Sequence, residues 1–401
     1  MFAPQVTVKR HLPIVVQSSL LGLITAVAML LAIPAGGIAS LCILARLIER
    51  RPIISLVIWG AIYVPVSALW VFPAFDGSFE YALGIAGFTL SGMIFYGGAG
   101  VLATLAFRRI PVLIMPAALV MAEVSAASLG LVLAPIGLFA VDGLIGAILA
   151  FVTVFGTTAL FGLMASILTR HSHSAFPIMF AAMFIIGLAP GPSRPAYNGP
   201  PIFGVSHNPD STRKWSSRAY AAEVLETLKS LSEEKAGTGL TVWPENAITG
   251  TFNLDEAVAL LDHDQFPILF GMTRFVRAGS PELLNSAVLV TSGGVQVSDK
   301  EFLVPVIETG MPYVDNSDLG TGTRKLLVLD DGTTILPLIC YEAAFLLNGA
   351  DLADRPDVII ILAAESGFAE SLAYSIMRRH AKARELETGI RVERVSDYDG
   401  K

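Results

Sequence analysis

Apolar positions along this chain follow two different rules. Up to about residue 190 they form long, nearly unbroken runs: Pro13 to Ile33, Ile38 to Ile48, then 53–74, 82–107, 110–134, 144–169 and 175–190. Breaks such as Pro34-Ala35-Gly36-Gly37 and Glu49-Arg50-Arg51 separate them. Runs of this length predict helices that cross a lipid bilayer, seven in all. The second and seventh are short for a full crossing, and 135–141 reads as a re-entrant or interfacial stretch.

Beyond residue 195 the pattern changes to short apolar segments alternating with amphipathic ones. Strands are predicted at Ile202–Val205, Leu240–Trp243, 266–271, 285–291, 325–329, 334–339 and Val358–Ala363. Helices are predicted at Ser216–Glu234, around Leu254–Leu261 and at Ser371–Leu386, the first with apolar Ala219, Val224, Leu225, Leu228 and Leu231. Alternation of this kind predicts an α/β domain whose sheets are covered by helices. The expected organisation is a transmembrane helical domain over 1–195 and an α/β domain over 196–401, joined through the Pro-rich stretch Pro190 to Pro195.

Charge sharpens the division. Residues 1–190 carry thirteen Asp, Glu, Lys and Arg side chains, and 191–401 carry forty-eight. The basic residues of the first part sit at every second connection: Lys9-Arg10, Arg46 with Arg50-Arg51, Arg108-Arg109 and Arg170. Because Lys and Arg near span ends resist translocation, the N-terminus is expected in the cytoplasm. Seven crossings then put the α/β domain on the outer face of a bacterial inner membrane, in the periplasm. A cleaved signal peptide over residues 9–35 is the rival reading, disfavoured by the length of the apolar run and by the further runs after it. The second part holds nineteen Lys and Arg against twenty-nine Asp and Glu, a balance that repels phosphate backbones and argues against nucleic-acid binding.

Candidate chemistry gathers where predicted strands end. Cys340 closes the run Thr334-Ile335-Leu336-Pro337-Leu338-Ile339 and is followed by Tyr341-Glu342; Glu245 follows Val242-Trp243-Pro244; Lys300 follows Asp299. A thiol is mostly protonated at neutral pH, so a base must take its proton as it attacks a carbonyl, and Glu245 is the candidate. Lys300 would raise thiolate character and donate to the oxyanion of a tetrahedral intermediate. Glu342 would anchor the nucleophile's loop. Each residue also has a plain alternative: a small buried Cys, a solvated loop Glu, a surface Lys. The other cysteine, Cys42, lies in an apolar run, which makes a disulfide between the two improbable. No metal-ligand spacing and no cofactor motif is visible among the six histidines.

These blocks resemble the three signature blocks of the nitrilase superfamily: Val242-Trp243-Pro244-Glu245, Lys300 with Leu303-Val304-Pro305 and Glu308, and Cys340-Tyr341-Glu342. The membrane-bound apolipoprotein N-acyltransferase branch is the most similar. Ala35-Gly36-Gly37 to Leu47-Ile48-Glu49-Arg50-Arg51, Lys214-Trp215 and His380 to Glu387 also resemble segments of that branch. Within it, length and altered details are similar to the TraB conjugal transfer proteins of plasmids. The resemblance implies an α-β-β-α sandwich, a Cys thioester intermediate, a phospholipid acyl donor and an amine acceptor such as a lipoprotein N-terminus or a component of a transfer apparatus. It implies Glu308 as a further acid orienting Lys300 or the amine. A nitrilase-type amidase and a non-catalytic membrane component remain as alternatives. Phe302 stands where these acyltransferases commonly have His, and Ala364-Glu365-Ser366-Gly367-Phe368 where they have Asn-Asp-Ala-Trp-Phe. The chain stops at Lys401, and the last sandwich strands and a closing membrane helix are expected to be lacking.

Overall fold

The computed structural model describes residues 5–31, 34–69, 78–129, 131, 135–141, 153–171, 192–235, 237–249, 252–261, 267–276, 283–304, 308, 319–347, 351–366 and 372–398. The chain divides into two compact units, Met1–Ser193 and Arg194–Lys401.

The first unit is helical among its described residues: α1 Gln5–Leu30, α2 Pro34–Arg50, α3 Pro52–Ser67, α4 Ser78–Phe107, α5 Ile114–Ser128 and α6 Val154–His171. Stretches Tyr81–Phe107 and Pro111–Ser128 are long and apolar enough to cross a membrane, and Pro13–Ala28, Pro52–Ser67 and Val154–Ile167 are shorter apolar helices. The run predicted at 175–190 lies outside the described residues, and 135–141 is a short 3-10 turn, Ile136–Ala140. Large apolar side chains point outward, among them Val16, Leu20, Ile94, Leu102 and Leu105.

Polar groups turn inward instead. The hydroxyls of Thr25 and Ser40 lie 2.6 Å apart, and Trp59 stacks on Tyr63 at 4.4 Å. Glu123, an acid inside an apolar helix, accepts from the Ile136 N–H at 2.9 Å and the Thr158 hydroxyl at 2.8 Å, so it tethers the 3-10 turn and α6 to α5. Helices α3 and α4 meet at glycines. A Cβ on Gly92 would lie 2.1 Å from the Gly60 carbonyl oxygen, while Gly97 and Gly100 face Val57 and Leu56. Close helix packing therefore uses Gly92, Gly97 and Gly100, while Gly98 faces open space.

The second unit is an α-β-β-α sandwich. One sheet has the order β1-β2-β3-β4-β5: Ile202–Gly204, Leu240–Val242, Ile268–Phe275, Leu283–Thr291 and Gly294–Asp299. The other has the order β6-β7-β8-β9: Leu327–Val328, Thr334–Ile339, Val358–Ala363 and Arg391–Ser396. Strands β7, β8 and β9 are parallel, and β6 runs antiparallel to β7. Pro337 carries no N–H donor, and it lies past the end of the β6 ladder, which stops at Ile335. Side chains of both sheets, including Val242, Leu269, Leu289, Ile339, Ile360 and Leu362, form the core between them.

Helix α8, Arg218–Ser232, buries Ala221, Val224, Leu225 and Leu228 at helical spacing against the outer face of the first sheet, with Trp243, Phe270 and Val288. The Ser217 hydroxyl caps it by accepting from the Tyr220 N–H. A short helix, α7 Ser211–Ser216, precedes it, and α9, Leu254–Ala259, follows with a capping box of Asn253 and Glu256. Helix α10, Leu372–Thr388, packs on β9 and on the turn after Cys340. Two strands were not expected from the sequence, β5 and β9.

Candidate active site

Strand β7 ends at Ile339, and the chain turns at once into a 3-10 segment, Cys340–Ala344. Cys340 makes the turn with φ of 50°, in the left-handed region that a non-glycine residue enters at a cost. The turn takes Cys340 out of the strand, and the residue as a whole is half-buried.

Glu245 follows β2 through Trp243 and Pro244 and is buried. Its Oε1 accepts from Asn285 Nδ2 at 2.7 Å and from Lys300 Nζ at 3.2 Å; Oε2 accepts from the Ala364 N–H at 3.0 Å. The charge of this carboxylate acts on the Cys340 thiol. Lys300, at the end of β5, is 1% exposed and makes a second ion pair, with Glu308 Oε1 at 2.6 Å. Glu308 is fixed in turn by the Val304 N–H at 2.6 Å. Glu245, Lys300, Glu308 and Cys340, spread over almost one hundred residues of sequence, thus form one group in which Glu245 and Lys300 are buried and Glu308 and Cys340 half-buried.

Their charges act on one another. Burial pushes the Cys340 thiol above its ordinary value, the Glu245 carboxylate pushes it further, and Lys300 pulls it back. Burial by itself would lower the Lys300 amine, but the carboxylates of Glu245 and Glu308 outweigh that and hold it above its ordinary value. The resting arrangement is therefore a neutral thiol under the influence of a carboxylate that is itself paired with an ammonium. A thiol so held loses its proton as it attacks an electrophile, not before.

Glu342 takes a different place from the other four. It is 1% exposed and spends both oxygens on backbone: Oε1 accepts from the N–H of Glu301 at 2.8 Å and of Phe302 at 3.3 Å, Oε2 from that of Ile339 at 2.8 Å. One carboxylate so fastens the residues after Lys300 to the residue before Cys340. Buried Arg324 stands behind it at 3.5 Å and is itself paired with Asp351 at 2.6 Å and Glu301 at 3.2 Å. The contacts of Glu342 are thus with backbone N–H groups and with Arg324.

Sequence reasoning missed Asn285, Arg324 and Ala364, whose roles depend on strand pairing and not on local pattern. A further network surrounds the end of β8. Glu365, buried, is paired with Arg394 and accepts from the Ser396 hydroxyl at 2.6 Å. Asp397 accepts from the N–H groups of Glu365 and Ser366 at 2.5 and 2.9 Å. Among the described residues no group of three or more His, Cys, Asp or Glu is placed to hold a metal ion.

Comparison with curated proteins finds relatives of one kind. They are apolipoprotein N-acyltransferases. That of Rhizobium etli is 30% identical over 239 residues, covering 51% of this chain and 44% of the relative. That of Rhizobium rhizogenes is 26% identical over 286 residues, 62% of this chain and 52% of the relative, and that of Azotobacter vinelandii is 27% identical over 208 residues. The chain spans about half the length of the curated relatives it matches. No family model matches it. Among solved structures, a variant of the nitrilase-superfamily amidase of Nesterenkonia AN1 aligns with a TM-score of 0.32 and 16% identity, over 49% of this chain and 74% of its own. A carbon-nitrogen hydrolase of Helicobacter pylori aligns with a TM-score of 0.28 and 14% identity, over 50% of this chain and 75% of its own.

Proposed function

We propose that this chain is an acyl-transfer enzyme of the bacterial inner membrane that carries its acyl group as a thioester on Cys340. The observation that carries the reading is the Glu245 carboxylate paired at 3.2 Å with Lys300, both acting on the thiol of Cys340 at the turn that ends β7.

The steps follow from those contacts. Cys340 sulfur attacks the carbonyl of an acyl ester as its proton passes to Glu245. The carbon–sulfur bond forms, and the Lys300 ammonium stabilises the negative charge on the former carbonyl oxygen. Collapse breaks the carbon–oxygen bond, Glu245 returns the proton to the leaving alcohol, and a thioester remains. An amine then attacks the thioester carbonyl and gives up a proton through Glu245 to the departing sulfur. An amide is released and the thiol restored.

The name of the curated relatives supports an N-terminal amine of a lipoprotein as acceptor, and the resemblance supports a phospholipid as donor. The outward apolar side chains of the first unit support a membrane setting, where the donor's acyl chain escapes the transfer cost of about 0.8 kcal/mol per methylene. The alternation of basic connections supports a second unit on the periplasmic side. A role in plasmid conjugation rests on the resemblance alone.

The test uses full-length protein in detergent and a phospholipid with an alkyne-tagged acyl chain. An adduct on Cys340 that persists in water and moves to an added amine peptide is the expected result. Rapid loss to water makes the protein a hydrolase, and no adduct refutes the reading.

A further inference from the structure

The first unit holds a cavity of about 50 Å³ lined by residues of α3, α4, α5 and α6, and the lining mixes two chemistries. Glu123, Ser67 and Ser91 bring polar groups, while Phe95, Tyr96 and Phe155 bring rings. A space of that size holds a few waters or one small ion. Ser67 closes α3, Glu123 lies in the second half of α5 and Phe155 opens α6, which puts the cavity toward the end of the bundle away from Arg108-Arg109 and Arg170.

Glu123 is 7% exposed, and both of its donors are uncharged: the Ile136 N–H on Oε1 and the Thr158 hydroxyl on Oε2. Basic side chains are far off. On the four helices that line the cavity they are Arg170 and His171, at the end of α6, twelve residues past Thr158 and so roughly 18 Å along the helix. Arg46 and Arg50 of α2 lie toward the end where α3 begins, opposite Ser67. A tether by itself needs no charge, since a glutamine could accept from Ile136 and donate to Thr158. The carboxylate adds a negative charge beside a cavity in an apolar bundle, where such a group is expensive and marks a site. The two serines point the same way. Each hydroxyl gives its one proton to a carbonyl of its own helix, Ser67 to Val64 at 3.0 Å and Ser91 to Phe88 at 2.8 Å, so each oxygen has only lone pairs left to offer.

We propose that this cavity binds a small organic ammonium ion, held by the Glu123 carboxylate among the rings of Phe95, Tyr96 and Phe155. An ammonium donates charge-assisted hydrogen bonds to a carboxylate, and aromatic faces attract a cation that has left water. The serine oxygens can accept its remaining protons. A bare metal cation wants a shell of oxygens instead, and rings do not supply one. Tyr96 is fixed in advance, packed T-shaped against Trp59 at 4.9 Å and Tyr63 at 6.1 Å. The site lies wholly within the first unit, so it stands or falls apart from the chemistry of Cys340.

The test needs no acyl transfer. Full-length protein in detergent is melted in methylammonium chloride and in sodium chloride of equal concentration, with unfolding followed by intrinsic fluorescence. A ligand of the folded state raises the melting temperature with its concentration, so methylammonium is expected to stabilise the wild type beyond sodium. Glu123→Gln, which keeps the tether, is expected to need at least tenfold more methylammonium for the same rise. Phe95→Leu leaves Glu123 and its donors in place and is expected to need about threefold more, which keeps the proposal testable should the glutamine variant fail to fold. No response in the wild type, or an unchanged response in either variant, overturns the proposal. Sodium or potassium as effective as methylammonium overturns it too, because the cavity then holds an inorganic cation.

Discussion

Glu342→Gln isolates the carboxylate that fastens the Lys300 loop to the Cys340 turn. The amide keeps the size of the side chain but has one acceptor oxygen. If that oxygen stays with Glu301 and Phe302, an NH2 group confronts the Ile339 N–H, which now has an opposing donor 2.8 Å away. A buried donor left unsatisfied costs about 1–3 kcal/mol, and the remaining bonds lose their charge assistance. Arg324 keeps Asp351 and Glu301, so its own charge is not stranded. The sum is roughly 2–4 kcal/mol, which in a unit of this size lowers the melting temperature by roughly 4–16 °C. Glu342→Ala, which strips every contact, is expected at roughly 3–5 kcal/mol. Thermal unfolding in detergent followed by intrinsic fluorescence measures the loss, and tagged-phospholipid labelling of Cys340 at a temperature where both proteins are folded measures the site. A Gln variant that melts with the wild type and labels at the wild-type rate refutes the anchoring argument.

Lys300→Met leaves Glu245 and Glu308 buried without a counter-ion and is expected to destabilise the second unit by roughly 3–5 kcal/mol; adding Glu308→Gln recovers part of the melting temperature but no labelling. The thiol of Cys340 stands above its ordinary value, so its alkylation rate is expected to keep climbing with pH through the usual thiol range without a plateau. Glu245→Gln removes a charge that raises the thiol and shifts that profile to lower pH, whereas Lys300→Met shifts it to higher pH; shifts in the same direction refute the electrostatic assignment. A Cβ on Gly271 would lie 2.4 Å from Glu245 Cα and 2.6 Å from the Pro244 carbonyl oxygen, so Gly271→Ala is expected to displace the base and cost about 1–3 kcal/mol, read by melting temperature and by loss of labelling.

Much of the site was legible because its members sit where apolar strands stop. Thr334–Ile339 and Val358–Ala363 are continuous apolar runs, and the structure draws both strands at those bounds. Strand β9 escaped because Arg391, Glu393 and Arg394 interrupt Val392 and Val395, so its composition resembles a solvated stretch although its pairing with β8 is complete. β5 escaped because only Val295 and Val297 of its six residues are apolar, too few to mark a strand among Gly294, Gln296, Ser298 and Asp299. Asn285 could not be found from sequence: it meets Glu245 only because β3 and β4 form a hairpin in a particular register, Thr273 opposite Asn285. Glu123 is the one acid in the apolar run 110–134, yet its partner Thr158 is thirty-five residues away on another helix.

The positive φ at Cys340 bears on how this chain would age without its chemistry. Glycine or asparagine would rest at that corner at less cost, by about 1 kcal/mol for glycine. A lineage that had given up its thiol would find one of the simplest stabilising exchanges in the whole unit at this single codon. The sulfur stands there at a conformational cost that a glycine would not bear.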